Sequence, residues 1–155
     1  MIRPIAVAGL MFAAPPAAAN TVVGQWHCLQ TGPEVRVEAV TNIANDGTFT
    51  AEMEFILVGP NGRMIVSALY AAEWKLDGDA FWDNPLDARV IGVTVNGEPA
   101  EAPQVTEGIL QSLREPPDGP LRIDFDGPDV VFFRPWDDNG APFECIRSDG
   151  ETIGL

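Results

Sequence analysis

Alternation constrains this chain more than any other feature. In "TFTAEMEFIL" at 48–57, Phe49, Ala51, Met53, Phe55 and Leu57 fall on one side, and Thr48, Thr50, Glu52 and Glu54 on the other. A period of two suits a strand with one dry and one wet face, and a helix could not bury it. "EVRVEAV" repeats the pattern, with Val35, Val37 and Ala39 inward and Arg36 and Glu38 outward. Between the two runs lies "NDG", whose Asp and Gly accept the positive φ of a tight hairpin turn. The same punctuation recurs as "PNG" at 60–62, "DGD" at 77–79, "NG" at 96–97, "DGPD" at 126–129 and "DDNG" at 137–140.

Strands are therefore expected near 22–30, 34–44, 48–58, 63–76, 79–84, 88–96, 121–126, 129–134 and 142–147. Short hairpins joining eight or nine strands predict an all-β fold, an antiparallel up-and-down closed β-barrel that leaves no free edge. One segment departs from the period of two. In "PQVTEGILQSLREPP", Val105, Ile109, Leu110 and Leu113 share a helical face and Pro116-Pro117 stops the turn. This predicts one short helix over 103–115, before the last strands, packed on or over the barrel.

The first nineteen residues read as a signal peptide. Arg3 supplies a positive start, Ile5 to Ala14 an apolar run too short to span a bilayer, and Ala17 to Ala19 small residues for cleavage before Asn20. Residues 20–155 then form the one barrel domain, periplasmic or secreted, with a frayed tail after Arg147 and no membrane insertion. At 155 residues, 46% hydrophobic and 21% charged, the chain has the composition of a single globular domain. Its formal net charge of −14 repels phosphate backbones, which argues against nucleic-acid binding.

Export places Cys28 and Cys145 where disulfides persist. In an up-and-down barrel the first and last strands are antiparallel neighbours. Setting Cys28 opposite Cys145 puts Trp26 opposite Arg147 and turns His27 to the other face, opposite Ile146. The cysteines are expected to form a disulfide that seals the barrel seam, worth roughly 2–5 kcal/mol. His27 cannot share a metal with Cys28 without distorting the strand, and it is the chain's one histidine. No metal site is expected.

Gly24-x-Trp26 at the start of the first strand, with Arg147 facing the tryptophan from the last, resembles the signature of the lipocalins and the wider calycin barrels. "NDGTF" and "EWKLDGDAFW", with Trp74 and Trp82, are similar to stretches of small bacterial lipocalin-like domains. The resemblance implies that Trp26 plugs one end of the barrel and that Arg147 packs across its ring.

No catalytic constellation emerges. From Asp77 an EF-hand would need Gly at 82 and Glu at 88, where Trp82 and Ala88 stand. Asp124, Asp126 and Asp129 flank a turn and are read as solvated. Glu52 and Glu54 face outward, Ser67, Ser112 and Ser148 lack a Gly-x-Ser-x-Gly turn, and no glycine-rich phosphate loop is present. No enzyme activity and no cofactor are expected. The expected function is binding of a small apolar or amphipathic ligand by a monomer, in a cavity lined by Val37, Phe49, Met53, Phe55, Val66 and Tyr70. The alternative is a module that binds a basic protein partner through loops and an acidic surface. Bacterial lysozyme inhibitors, small exported barrels with a cysteine in an early and a late strand, are similar in outline.

Overall fold

A computed structural model describes residues 22–148. The segment expected to be a signal peptide and the tail beyond Ser148 lie outside the described residues. Nine strands and one helix follow in chain order: β1 (Gly24–Thr31), β2 (Val35–Ile43), β3 (Thr48–Gly59), β4 (Gly62–Asp77), β5 (Ala80–Val95), β6 (Glu98–Pro99), α1 (Pro103–Arg114), β7 (Leu121–Phe125), β8 (Val130–Pro135) and β9 (Phe143–Arg147). All pairings are antiparallel. The sheet runs β4-β3-β2-β1-β9-β8-β7-β5-β6, and β4 pairs again with β5, which closes eight strands into a barrel-like ring.

The seam has the expected register. Trp26 lies opposite Arg147, His27 opposite Ile146 and Cys28 opposite Cys145. The two cysteines are disulfide-bonded across a sequence separation of 117. Among the described residues, no helix is long and apolar enough to cross a membrane.

The ring is closed unevenly. β3, β4 and β5 are 12, 16 and 16 residues long, whereas β7, β8 and β9 have five or six. β5 meets β7 through two residue pairs alone, Ala80–Arg122 and Phe81–Leu121. From Trp82 to Val93 that edge of β5 has no strand partner among the described residues. α1 takes the place of the missing wall. Its Leu110 and Leu113 pack on Ala51, Tyr70, Ala72 and Ala88, inward-facing residues of β3, β4 and β5. Three of those four are alanines, small enough to admit the helix, and Arg114 donates a hydrogen bond to the Ala88 carbonyl at 2.9 Å.

The expectation of separate strands at 79–84 and 88–96 is corrected: β5 is one continuous strand. Pro85 and the polar residues around it resemble a turn in sequence. Here two irregularities absorb the surplus residues instead, because β4 skips Leu86 between Ala71 and Ala72 and skips Ile91 between Ser67 and Ala68. Both bulged residues are more than half exposed.

The main core gathers at the Trp26 end. Trp26 and Val22 are fully buried there with Ile43, Phe81, Ile123, Val131, Phe133 and Cys145. Trp74 stacks on Phe81 with ring centroids 5.8 Å apart, and its indole N–H donates to the Ala44 carbonyl at 2.9 Å.

Candidate functional site

Two places in the ring carry the residues of interest: the plugged end and the space above it. At the plugged end the Trp26 indole N–H donates to the Val22 carbonyl at 2.8 Å. The Arg147 guanidinium sits 4.1 Å from the centroid of the Trp26 ring. It also donates to the Val23 carbonyl at 3.0 Å and to the Pro128 carbonyl, and its Nε lies 3.6 Å from an Asp129 oxygen. One cation thus stacks on the plug and ties together the chain before β1, the β7–β8 turn and β9. Gly24 is required for this approach. Its φ is +139°, and a Cβ there would come within 2.5 Å of Arg147 Nη1. Gly24, Trp26 and Arg147 are brought together where β1 meets β9.

Above the plug lies a cavity of about 290 Å³. Ile43, Phe81, Phe133 and the Cys28–Cys145 bridge line it toward the buried core. Ala39, Thr41, Phe49, Ala51, Met53 and Tyr70 come from β2, β3 and β4. Ser112, Leu113, Glu115, Pro117, Leu121 and Phe143 line the side where α1 replaces a strand. Strand alternation explains the runs Ala39, Thr41 and Ile43 on β2 and Phe49, Ala51 and Met53 on β3, whose members lie two positions apart.

Of the expected lining residues, Phe49, Met53 and Tyr70 border the cavity; Val37, Phe55 and Val66 do not. The correction has a packing cause. Val37 lies opposite Phe55 and Phe55 opposite Val66, so the three form one cross-strand row on the inner face. Val66 is fully buried and Val37 nearly so. That layer fills itself with side chains, while the layer nearer the plug, where Ala39, Thr41 and Ala51 are small, stays open.

Sequence reasoning missed the cavity's polar pair. Tyr70 donates its hydroxyl to Oδ2 of Asp83 at 2.7 Å. Burial, followed by the neighbouring Asp83 carboxylate, pushes the Tyr70 hydroxyl far above the ordinary tyrosine range. Asp83 occurs in "DGDAFWD", whose one sequence reading is a failed calcium loop, within the strand expected at 79–84. The signal that would have found it is the alternation beginning at Phe81, which puts Asp83 on the same face two residues later and opposite Trp74. Thr41, Ser112 and Glu115 were missed as well. The first looks like a strand filler, and the others lie at the end of α1, whose position relative to the ring no local pattern gives.

The remaining candidates stay on the outside or in turns. His27 lies between Val40 and Ile146 on the outer face. Among the described residues no group of three His, Cys, Asp or Glu side chains is placed to hold a metal ion. Asp124, Asp126 and Asp129 sit at the β7–β8 turn, where Asp124 and Asp129 make long ion pairs with Arg134 and Arg147. No protein-family model matches this sequence, and no curated protein sequence matches it.

Proposed function

We propose that this chain is an exported, lipocalin-like binding protein that holds one small apolar or amphipathic molecule inside its ring. The observation that carries the reading is the cavity above Trp26, apolar on most sides and interrupted by the Tyr70–Asp83 pair. Its volume, about 290 Å³, stands at the lower edge of ligand pockets, which span roughly 300–1,000 Å³. Five aromatic rings, those of Phe49, Tyr70, Phe81, Phe133 and Phe143, border it. A few convergent polar groups in an apolar pocket are the usual means of orienting a small ligand. The disulfide and the Arg147–Trp26 closure hold the plugged end shut, so the ligand enters on the α1 side, where Glu115 and Pro117 border the cavity.

Native mass spectrometry of protein purified without denaturation tests this. A bound mass of a few hundred daltons, released on unfolding, is the expected result. A bare chain that also fails to take up any of a panel of small aromatic and aliphatic compounds overturns it.

The acidic outer face supports a second reading, a basic protein partner. Glu38 and Glu54 lie directly opposite each other on β2 and β3. Like charges so placed cost stability unless something relieves them, and Arg36, paired with Glu38 at 2.7 Å, offsets part of that cost. Partner capture that falls steeply between low and high salt, with an empty cavity, would favour this reading over the first.

A further inference from the structure

We propose that the ligand is a monocation with an apolar body, an aryl- or alkylammonium ion, and that Asp83 is its counter-charge. The inference rests on the cavity reading above and adds the ligand's charge to it.

Asp83 receives one described hydrogen bond, from Tyr70 to Oδ2. No Lys, Arg or His lines the cavity. Among the described residues none lies within ion-pair distance of Asp83 either. A second carboxylate, Glu115, borders the same space, and its described partner is the neutral amide of Gln111. The cavity therefore carries two acidic groups and no protein cation.

Four aromatic rings line the cavity with Asp83. Tyr70, Phe49, Phe81 and Phe133 follow one another with centroids 5.6, 6.1 and 5.2 Å apart. Aromatic faces are electronegative and attract a cation held within about 6 Å. Each class of ligand meets these walls differently. Asp83 is partly buried and also borders an outer groove with Lys75. A neutral molecule displaces water from its cavity side and gives nothing in return, an unfavourable exchange for a charged group. An anion is repelled. An ammonium ion replaces the lost water with a charge-assisted contact to Asp83 while its apolar body covers the rings. The net charge of −14 further concentrates cations around the molecule.

The test uses the purified protein and two probes of the same shape, phenyltrimethylammonium and its neutral carbon counterpart tert-butylbenzene. Their dissociation constants are measured by amide chemical-shift titration. The expected result is tighter binding of the cation by about tenfold or more, the size of a desolvated cation–π contact with a nearby carboxylate. Asp83→Asn should remove that preference and leave binding of the neutral probe in place. Tyr70→Phe, which keeps the carboxylate, should retain the preference. Equal binding of the two probes by the unaltered protein, or stronger binding of the neutral one, overturns the charge inference and leaves the cavity reading standing. Binding of neither probe overturns both.

Discussion

Breaking the Cys28–Cys145 bond should cost this domain a large part of its stability, and the amount can be worked from its position. The bond spans 117 residues. In the chain-entropy account, closing a loop of that length removes about 16 cal/mol/K from the unfolded ensemble, or about 4.9 kcal/mol at 25 °C. Typical domains have about 5–15 kcal/mol in total. The native side of the balance changes little, because Trp26–Arg147, His27–Ile146 and Leu29–Glu144 keep β1 against β9 without the bond. The assay is equilibrium urea unfolding of oxidised protein, reduced protein and the Cys28→Ala/Cys145→Ala variant. At a slope of about 2 kcal/mol per M, reduction should lower the midpoint by about 2.5 M. The alanine variant should fall somewhat further, since Cys145 is fully buried and its sulfur fills space. Oxidised and reduced midpoints within 0.5 M of each other would refute the loop-entropy reasoning. A low midpoint for the alanine variant alone would assign the loss to packing.

Gly24→Ala is expected to destabilise by about 1–3 kcal/mol in the same assay, through its left-handed backbone and the Arg147 clash. Arg147→Met loses the contacts to Trp26, Val23 and Pro128 and so destabilises by itself. Gly24→Ala should nevertheless cost less in that background than in the unaltered protein, because the clash is gone and only the backbone strain remains. The chain has one tyrosine, so tyrosinate absorbance reports Tyr70 alone. With its folded pKa raised, the neutral hydroxyl stabilises fully below the ordinary tyrosine pKa, and that contribution is lost as pH rises above it. Absorbance should therefore appear only together with alkaline unfolding, and Asp83→Asn should bring it to lower pH. Leu113→Ala should cost about 1–2 kcal/mol, less than a fully buried leucine, and speed proteolysis within 100–120 before global unfolding.

The strand pattern and the seam were legible because both are local or follow from symmetry. Alternation around Phe49 to Leu57 gives β3 its inner face. In a closed meander the first and last strands must meet, which fixes Cys28 against Cys145 once a bond is assumed. β5 was less legible. Pro85 carries a turn signal, and the bulges at Leu86 and Ile91 become visible only against the β4 register. The cavity was half legible for a similar reason. Alternation gives which residues face inward, and it named Phe49, Met53 and Tyr70 together with Val37, Phe55 and Val66. Which inward layer stays empty depends on what lies across the ring. There, small residues at Ala39 and Ala51 leave space, and the row through Phe55 closes it. Asp83 was hidden by composition, because an acidic residue near a turn is most often wet, although alternation from the buried Phe81 puts it on the inner face.

The covalent seam has a mechanical consequence. The described chain enters β1 and leaves β9 side by side, with the Ser148 amide donating to the Gln25 carbonyl at 2.9 Å. A pull on the two ends reaches the sulfur–sulfur bond after the few residues outside Cys28 and Cys145. Everything between them, including the cavity and α1, lies in a loop that carries no tension. Stretching the oxidised molecule should then release almost no length, and a reductant should set free roughly 400 Å at once, the extended span of 117 residues. The barrel behaves toward force as a closed hoop, and one two-electron reduction makes it an extensible tether.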